Sequence, residues 1–522
     1  MKRASSSVLL ALCTACAGNP GTQEQQVTTP SASDRDASVG DAALITEEPD
    51  AGETPDAGSV LPTLPRLVTG LGISKVSVFQ AVEVPLVVDG VAVTLRNAPV
   101  VAGKPGVVRV AVSPVSGWSA RAVTAVLEVT VDGVSTAVTE THTISGASVE
   151  GNASSFFTLP ITPALGARYR VLLTSEDGEV VADGVSSFAR FPLEGGTTSL
   201  GVEDDLGGVR LVLVPVQYDT DGSGRLPDTS AAQLERYRTV LQSLYPVSNV
   251  EISVRDPLPW SRNPTWTGNF NFGRLNDDLI DLRVADGADD DVYYYGLVAP
   301  DDSFDAYCGN SCVTGQSYVV DDPVDADIRV GGGMGFSGED SAWTLAHELG
   351  HMHGRYHAPC DVDDWDEDYP YTDGAIGVWG YDDRTGEYVD PDVATDFMGY
   401  CENNWTSDYT YRALFDRVAE LNTLVQTLDL PRQAVRILHV DAQGEPWWGA
   451  RVQVRPRLRA QVAIRFLDGK GAVLAEGSAD VLRAAHRGER AVLVPEAPVD
   501  ADVVEVTLRA GEAPVRAQLQ AE

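Results

Sequence analysis

SAWTLAHELGHMHGRYHAPC, Ser341 to Cys360, contains His347-Glu348-Leu349-Gly350-His351-Met352-His353-Gly354-Arg355-Tyr356-His357, the pattern H-E-x-x-H-x-x-G-x-x-H. Four of the seven histidines in the chain lie in these eleven residues. Trp343, Leu345, Ala346 and Leu349 suit a helix with one buried face, on which positions four apart project from the same side. His347 and His351 can therefore present imidazole nitrogens to one metal ion, and Glu348 stands beside them to reach a water. Gly354 should end the helix, because glycine takes the left-handed conformation without steric cost. The chain then turns back and offers His357 as a third ligand. Three neutral imidazoles with an open fourth position form a catalytic rather than a structural zinc layout. His353, two residues from His351, points elsewhere on the helix. The competing reading is a chance match on an amphipathic helix; five fixed positions, three of them histidine, argue against it.

Downstream, the acidic run DVDDWDED opens a segment, Asp361 to Asp396, with thirteen acidic residues against one basic residue, Arg384. A solvated loop anchored by Trp365, Tyr369, Trp379 and Tyr381 is the expected reading, with Ca2+ binding the alternative. Asp396-Phe397-Met398-Gly399-Tyr400-Cys401 follows, then a helix over about 408–427 capped by Ser407 or Asp408. Upstream, Ser337 and Asp340 resemble a capping box for the metal-site helix. Val209–Val216, Val292–Val298 and Gln316–Val320 read as strands, as does Asp327–Val330 before a glycine run. Helices are expected after a cap at Asp228, Thr229 or Ser230 and over Leu275–Val284. Asp219 to Arg225 is similar to a calcium loop but has Ser230 where the twelfth-position Glu belongs, so a turn is expected.

Residues 66–200 change to short β-type runs separated by Asp132-Gly133 and Asp177-Gly178 turns, which predicts an immunoglobulin-like β-sandwich. Residues 431–522 return to strand-like runs and predict a small C-terminal β-domain. There Trp447 and Trp448 read as anchors or as a sugar-stacking surface. His142, His439 and His486 carry no pattern. The expected organisation is multidomain, with an α/β (α+β) metal-site domain over 205–430 between the two β regions.

The N-terminus, MKRASSSVLLALCTACAGNP, has a basic start and an apolar run too short to span a bilayer. Cys13-Thr14-Ala15-Cys16 resembles a bacterial lipobox. Residues 1–15 then form a lipoprotein signal peptide and Cys16 is the lipidated residue. Residues 16–65, poor in large apolar groups, form a flexible acidic tether. An exported bacterial protein follows, held at the outer membrane or cell surface by its lipid anchor or secreted. The remaining cysteines suit disulfides in an oxidising compartment, with Cys308–Cys312 and Cys360–Cys401 the expected pairs. The formal charge of −38 excludes nucleic acid and anionic membrane surfaces as partners, since both need clustered Lys and Arg. Membrane contact is expected only through the anchor.

His347, Glu348, His351, Gly354 and His357 followed by Met398 resemble the metzincin zinc metallopeptidases. That resemblance implies one catalytic Zn2+ held by the three histidines, Glu348 as general base, and Met398 in a methionine turn beneath the metal. Tyr400 matches a tyrosine that approaches the metal in several such families. Gly377 to Asp382 is similar to mucin-directed metallopeptidases of the StcE type, whereas the cysteines and Met-Gly-Tyr are closer to the pappalysin group. The implied activity is hydrolysis of peptide bonds in extracellular proteins or glycoproteins. Two alternatives stand beside it: an adhesin whose metal domain is accessory, and a zinc hydrolase acting on another bond.

Overall fold

The computed structural model describes residues 65–519 apart from 263–264, 267–268, 310–311, 425–431, 442, 456–460, 483–489 and 510. The signal, Cys16 and nearly all of the tether lie outside the described residues, as does His486. The fold is multidomain and mostly β, with five α-helices among the described residues. None of these helices is long and apolar enough to cross a membrane.

The first region holds two antiparallel sheets. Strands β1 (Leu71–Val88), β2 (Gly106–Pro114) and β5 (Phe157–Ile161) pair in one of them; β3 (Arg121–Val131), β4 (Val134–Ile144) and β6 (Arg168–Thr174) pair in the other. Alternating apolar residues of both sheets, Val76, Val78, Val108 and Val110 against Val123, Ala125, Val171 and Leu173, share one core.

The second region is α/β. Strands β7 (Val209–Tyr218), β8 (Val250–Val254), β9 (Val292–Val298), β10 (Gly315–Ser317) and β11 (Val330–Met334) stack in the order β8-β7-β9-β11-β10. The first four are parallel and β10 is antiparallel to β11. Helix α1 (Ala231–Leu244) is capped by Ser230, one of the three candidate positions, whose side chain accepts from Gln233 N. Helix α2 (Phe272–Asp286) is two to three residues longer at each end than its sequence pattern. Asp219 to Arg225 is a turn in which Asp221 pairs with Arg225. The strand expected over 327–330 begins later: Ala326–Ile328 is a 3-10 turn and β11 runs through the glycines. Those glycines are needed for close packing. A Cβ on Gly331 would come within 2.9 Å of Ser317 Cβ, and one on Gly333 within 2.0 Å of the Tyr295 hydroxyl.

The metal-site helix, α3 (Glu339–Met352), follows β11. Its cap is Gly338 without a side-chain bond; the expected capping box does not form, because the Ser337 hydroxyl donates to Asp228 instead, 2.6 Å away. Glu339 and Asp340 in the first turn favour the positive end of the helix dipole. Strands β12 (Gly380–Asp382) and β13 (Glu387–Val389), from the acidic segment, form a hairpin that extends the first region's sheet. Tyr381 and Gly380 pair with Ala81 and Val82 of β1. Helix α4 (Asp408–Leu424) is capped by Ser407, whose Oγ accepts from Thr410 N at 3.0 Å.

The last region is one antiparallel sheet of seven strands, β14 (Gln433–Val440) to β20 (Val515–Gln518). Its strands β14 and β15 (Pro446–Val454) lay Val435, Ile437, Ala450 and Val452 on Leu275, Leu279 and Ile280 of α2.

Candidate metal centre

Helix α3 ends as its sequence requires. Gly354 takes φ 79°, its N–H donates to His351 O at 2.8 Å, and Arg355 N donates back to Gly350 O at 2.9 Å. The reversal brings His357 against the helix. The Nε2 atoms of His347 and His351 are 3.1 Å apart, and those of His351 and His357 are 3.2 Å apart.

Each ring on the helix is held from behind. His347 Nδ1 lies 2.8 Å from Phe397 O, and His351 Nδ1 lies 2.7 Å from Arg355 O. A carbonyl oxygen only accepts, so both Nδ1 atoms carry the proton and both Nε2 atoms present lone pairs. Two such lone pairs 3.1 Å apart repel unless a cation lies between them. Tetrahedral Zn–N bonds of ~2.0–2.1 Å place ligand nitrogens about 3.3–3.4 Å apart, close to the observed separations. The donor set fits a metal ion. Among the described residues this triad is the one group of three or more metal-donor side chains whose donor atoms converge.

Glu348 is 1% exposed and turns toward β10, where Ser317 Oγ donates to its Oε2 at 2.6 Å. Met398 is fully buried beneath the helix; a Cβ on Gly350 would come within 2.4 Å of its Sδ, so only glycine admits the methionine there. Asp396, also buried, fixes that turn by accepting from Met398 N and Ser407 N, each at 2.9 Å. Tyr400 is 45% exposed, and its hydroxyl lies 3.0 Å from His357 Nε2.

Residues 323–413 match the family model of Peptidase M66. This is a metallopeptidase family, and its match covers the histidine triad, Glu348, Met398 and Tyr400. A metallopeptidase domain is therefore present. A comparison with curated proteins gives no match.

Around the metallopeptidase centre, Cys360 and Cys401 are bridged, and Tyr400 N donates to Cys360 O at 2.9 Å. The loop that carries His357 and the turn at Met398 are thus tied together. Cys308 and Cys312 are bridged in their small loop. Two more carboxylates of the acidic segment serve as internal partners: Asp366 takes Arg355 and the Tyr409 hydroxyl, each at 2.9 Å, and Asp382 takes Arg384, while most of the others are exposed. Trp365 is exposed rather than an anchor, whereas Tyr369 packs against Tyr409 and donates to Ala375 O.

His353 is buried outside the triad, stacked on Tyr293 with its Nδ1 2.7 Å from Leu349 O, and burial pushes its pKa down to about 3. His142 sits on a strand beside Glu140. His439 is fully buried against Asp277 and Trp447. Sequence reasoning missed Ser317, Asp396 and the carbonyls of Phe397 and Arg355. The carbonyls leave no trace in residue identity, and Ser317 lies 31 positions from the glutamate it touches.

Proposed function

We propose that the chain is an exported, zinc-dependent endopeptidase of the metzincin type that cuts extracellular proteins or glycoproteins. The observation that carries this reading is the convergence of three imidazole Nε2 atoms beside a buried carboxylate, within a segment matching a peptidase family. His347, His351 and His357 would hold the ion through their Nε2 atoms. When bound, zinc polarises the scissile carbonyl and lowers the pKa of a water molecule. Glu348 would take the proton of the attacking water and deliver it to the leaving amine. Tyr400, exposed and in reach of the same spot, donates to the carbonyl oxygen as negative charge builds on it. Met398 supports the helix floor and takes no part in proton transfer.

Export rests on the first sixteen residues and on the two disulfides, which suit an oxidising compartment. Cys16 is the proposed lipid attachment point, and the two-sheet region over 66–200 is proposed as immunoglobulin-like. The test is incubation of the purified chain with a proteome-derived peptide library and with an O-glycosylated protein, with and without a metal chelator. Mapped cuts that vanish with chelator and return with zinc support the reading. Binding of either substrate with no cut favours the adhesin alternative.

A further inference from the structure

The mechanism needs the Glu348 carboxylate to face the water, yet glutamate has three side-chain torsions that must be held. What limits it is strand β10. Gly315 and Ser317, two residues apart on that strand, face α3 together. A Cβ on Gly315 would lie 2.8 Å from Glu348 Cγ and 2.9 Å from Oε1, so the strand backbone is the wall against which the side chain rests. Ser317 is fully buried, and its Oγ lies 2.6 Å from Glu348 Oε2. The same Oγ is 2.9 Å from the Glu348 main-chain carbonyl. A hydroxyl has one proton to give. An ionised carboxylate oxygen and a hydroxyl oxygen at 2.6 Å need that proton between them, and a charge-assisted bond is the stronger of the two on offer. Gly331, opposite Ser317 on β11, leaves the room that the serine side chain occupies.

We infer that Ser317 is a positioning residue for peptide hydrolysis: by donating to Oε2 it fixes the orientation of the Glu348 carboxylate. This rests on Glu348 being the general base. Its hydroxyl meets Glu348, so it acts through the glutamate. Groups that orient an active-site residue in this way typically contribute 10–100-fold to activity. Because the contact concerns proton transfer and not substrate binding, its loss should fall on kcat and leave KM alone.

The test measures kcat, KM, zinc content and thermal midpoint for Ser317→Ala, Ser317→Cys, Glu348→Ala and the Ser317→Ala/Glu348→Ala double variant. Ser317→Ala is expected to lower kcat ~10–100-fold, with KM within about twofold, zinc content unchanged and the midpoint lowered only by the loss of one buried hydrogen bond. Ser317→Cys, a weaker donor of similar shape, should fall between it and the wild type. In the Glu348→Ala background the serine substitution should change nothing, because its effect passes through the carboxylate. Wild-type kcat in Ser317→Ala, with Glu348→Ala inactive, overturns the inference alone. Full activity in Glu348→Ala overturns the general-base reading and this inference with it. If Ser317→Ala does not fold, Ser317→Cys decides, and wild-type kcat there also overturns the inference.

Discussion

The two β regions flank the metallopeptidase domain in different ways. The N-terminal region is built into it. Strand β1 pairs with the hairpin that follows the third histidine, Glu83 N donates to Trp379 O at 2.8 Å, and Trp405 Nε1 donates to Ala81 O at 2.9 Å. Arg109 of β2 pairs with Glu150 and lies within 4.3–5.8 Å of the rings of Phe79, Phe156, Trp379 and Tyr388. The apolar core of this region is continuous with Leu345, Leu349 and Met398 around the metal-site helix. The C-terminal region has a core of its own, including Val462, Ile464, Val492 and Val504, and meets α2 across one face. Its polar contacts there include His439 Nε2 to Asp277 Oδ1, 3.0 Å, and Ala450 N to the same oxygen, 3.1 Å; Gln453 N and Arg455 N donate to Asp327 and Asp325 just before β11. One β region frames the catalytic centre; the other is docked on a helix that carries none of it.

Deletion gives the largest test of that contrast. Removing residues 66–203 should abolish zinc binding and cleavage together, since it strips the core that α3 shares. Removing 433–522 should leave zinc content intact and cleavage within about tenfold, although the uncovered face of α2 should lower the thermal midpoint. Zinc per chain and cleavage rate measure both, and equal losses in the two truncations would erase the distinction. Trp405→Ala comes next: it removes a buried ring, its bond to Ala81 and its packing on Trp343, and should cost about 4 kcal/mol in denaturant unfolding.

Lys104 supplies a pH-dependent version. It is buried where the N-terminal region meets α1, donating to Gln242 O, and burial pushes its pKa down to about 8 from 10.5. A lysine pKa depressed in the fold means that the unfolded chain binds more protons between those values, so stability rises with pH there. Relative to Lys104→Met, the wild type should gain up to about 3 kcal/mol between pH 8 and 10.5. Denaturant titrations at both ends check the sign, and no change would mean that this lysine is solvated. His439→Ala should give the smallest effect, about 1–2 kcal/mol from taking one of the two partners of Asp277 Oδ1 and leaving Ala450 N, with kcat and zinc content unchanged. A fall in kcat would show that the docked region reaches the centre after all.

Local chemistry was legible in the sequence and long-range pairing was not. His347, His351, Gly354 and His357 sit within one helix and its reversal, so their spacing alone predicts convergence. Met398 and Tyr400 came from a resemblance, because nothing in a lone methionine says that it lies under Gly350. The hairpin at 380–389 pairs with residues almost three hundred positions earlier, and its acidic, aromatic composition reads as a loop. The glycines of β11 look like a turn when read locally. They are a strand because neighbouring side chains occupy the space their own would need. Ser337 shows the converse: its cap pattern is present, but a tertiary partner, Asp228, takes the hydroxyl.

The central assignment, a zinc peptidase with Glu348 as its base, is tested most directly by one paired measurement on the full chain. Zinc content and cleavage rate are compared between the wild type and Glu348→Ala on the same peptide library. The predicted result is one zinc per chain in both proteins, with cleavage lost by about 10²–10⁴-fold in the variant. Cleavage by Glu348→Ala at the wild-type rate, or a zinc-loaded wild type that cuts nothing, would contradict it.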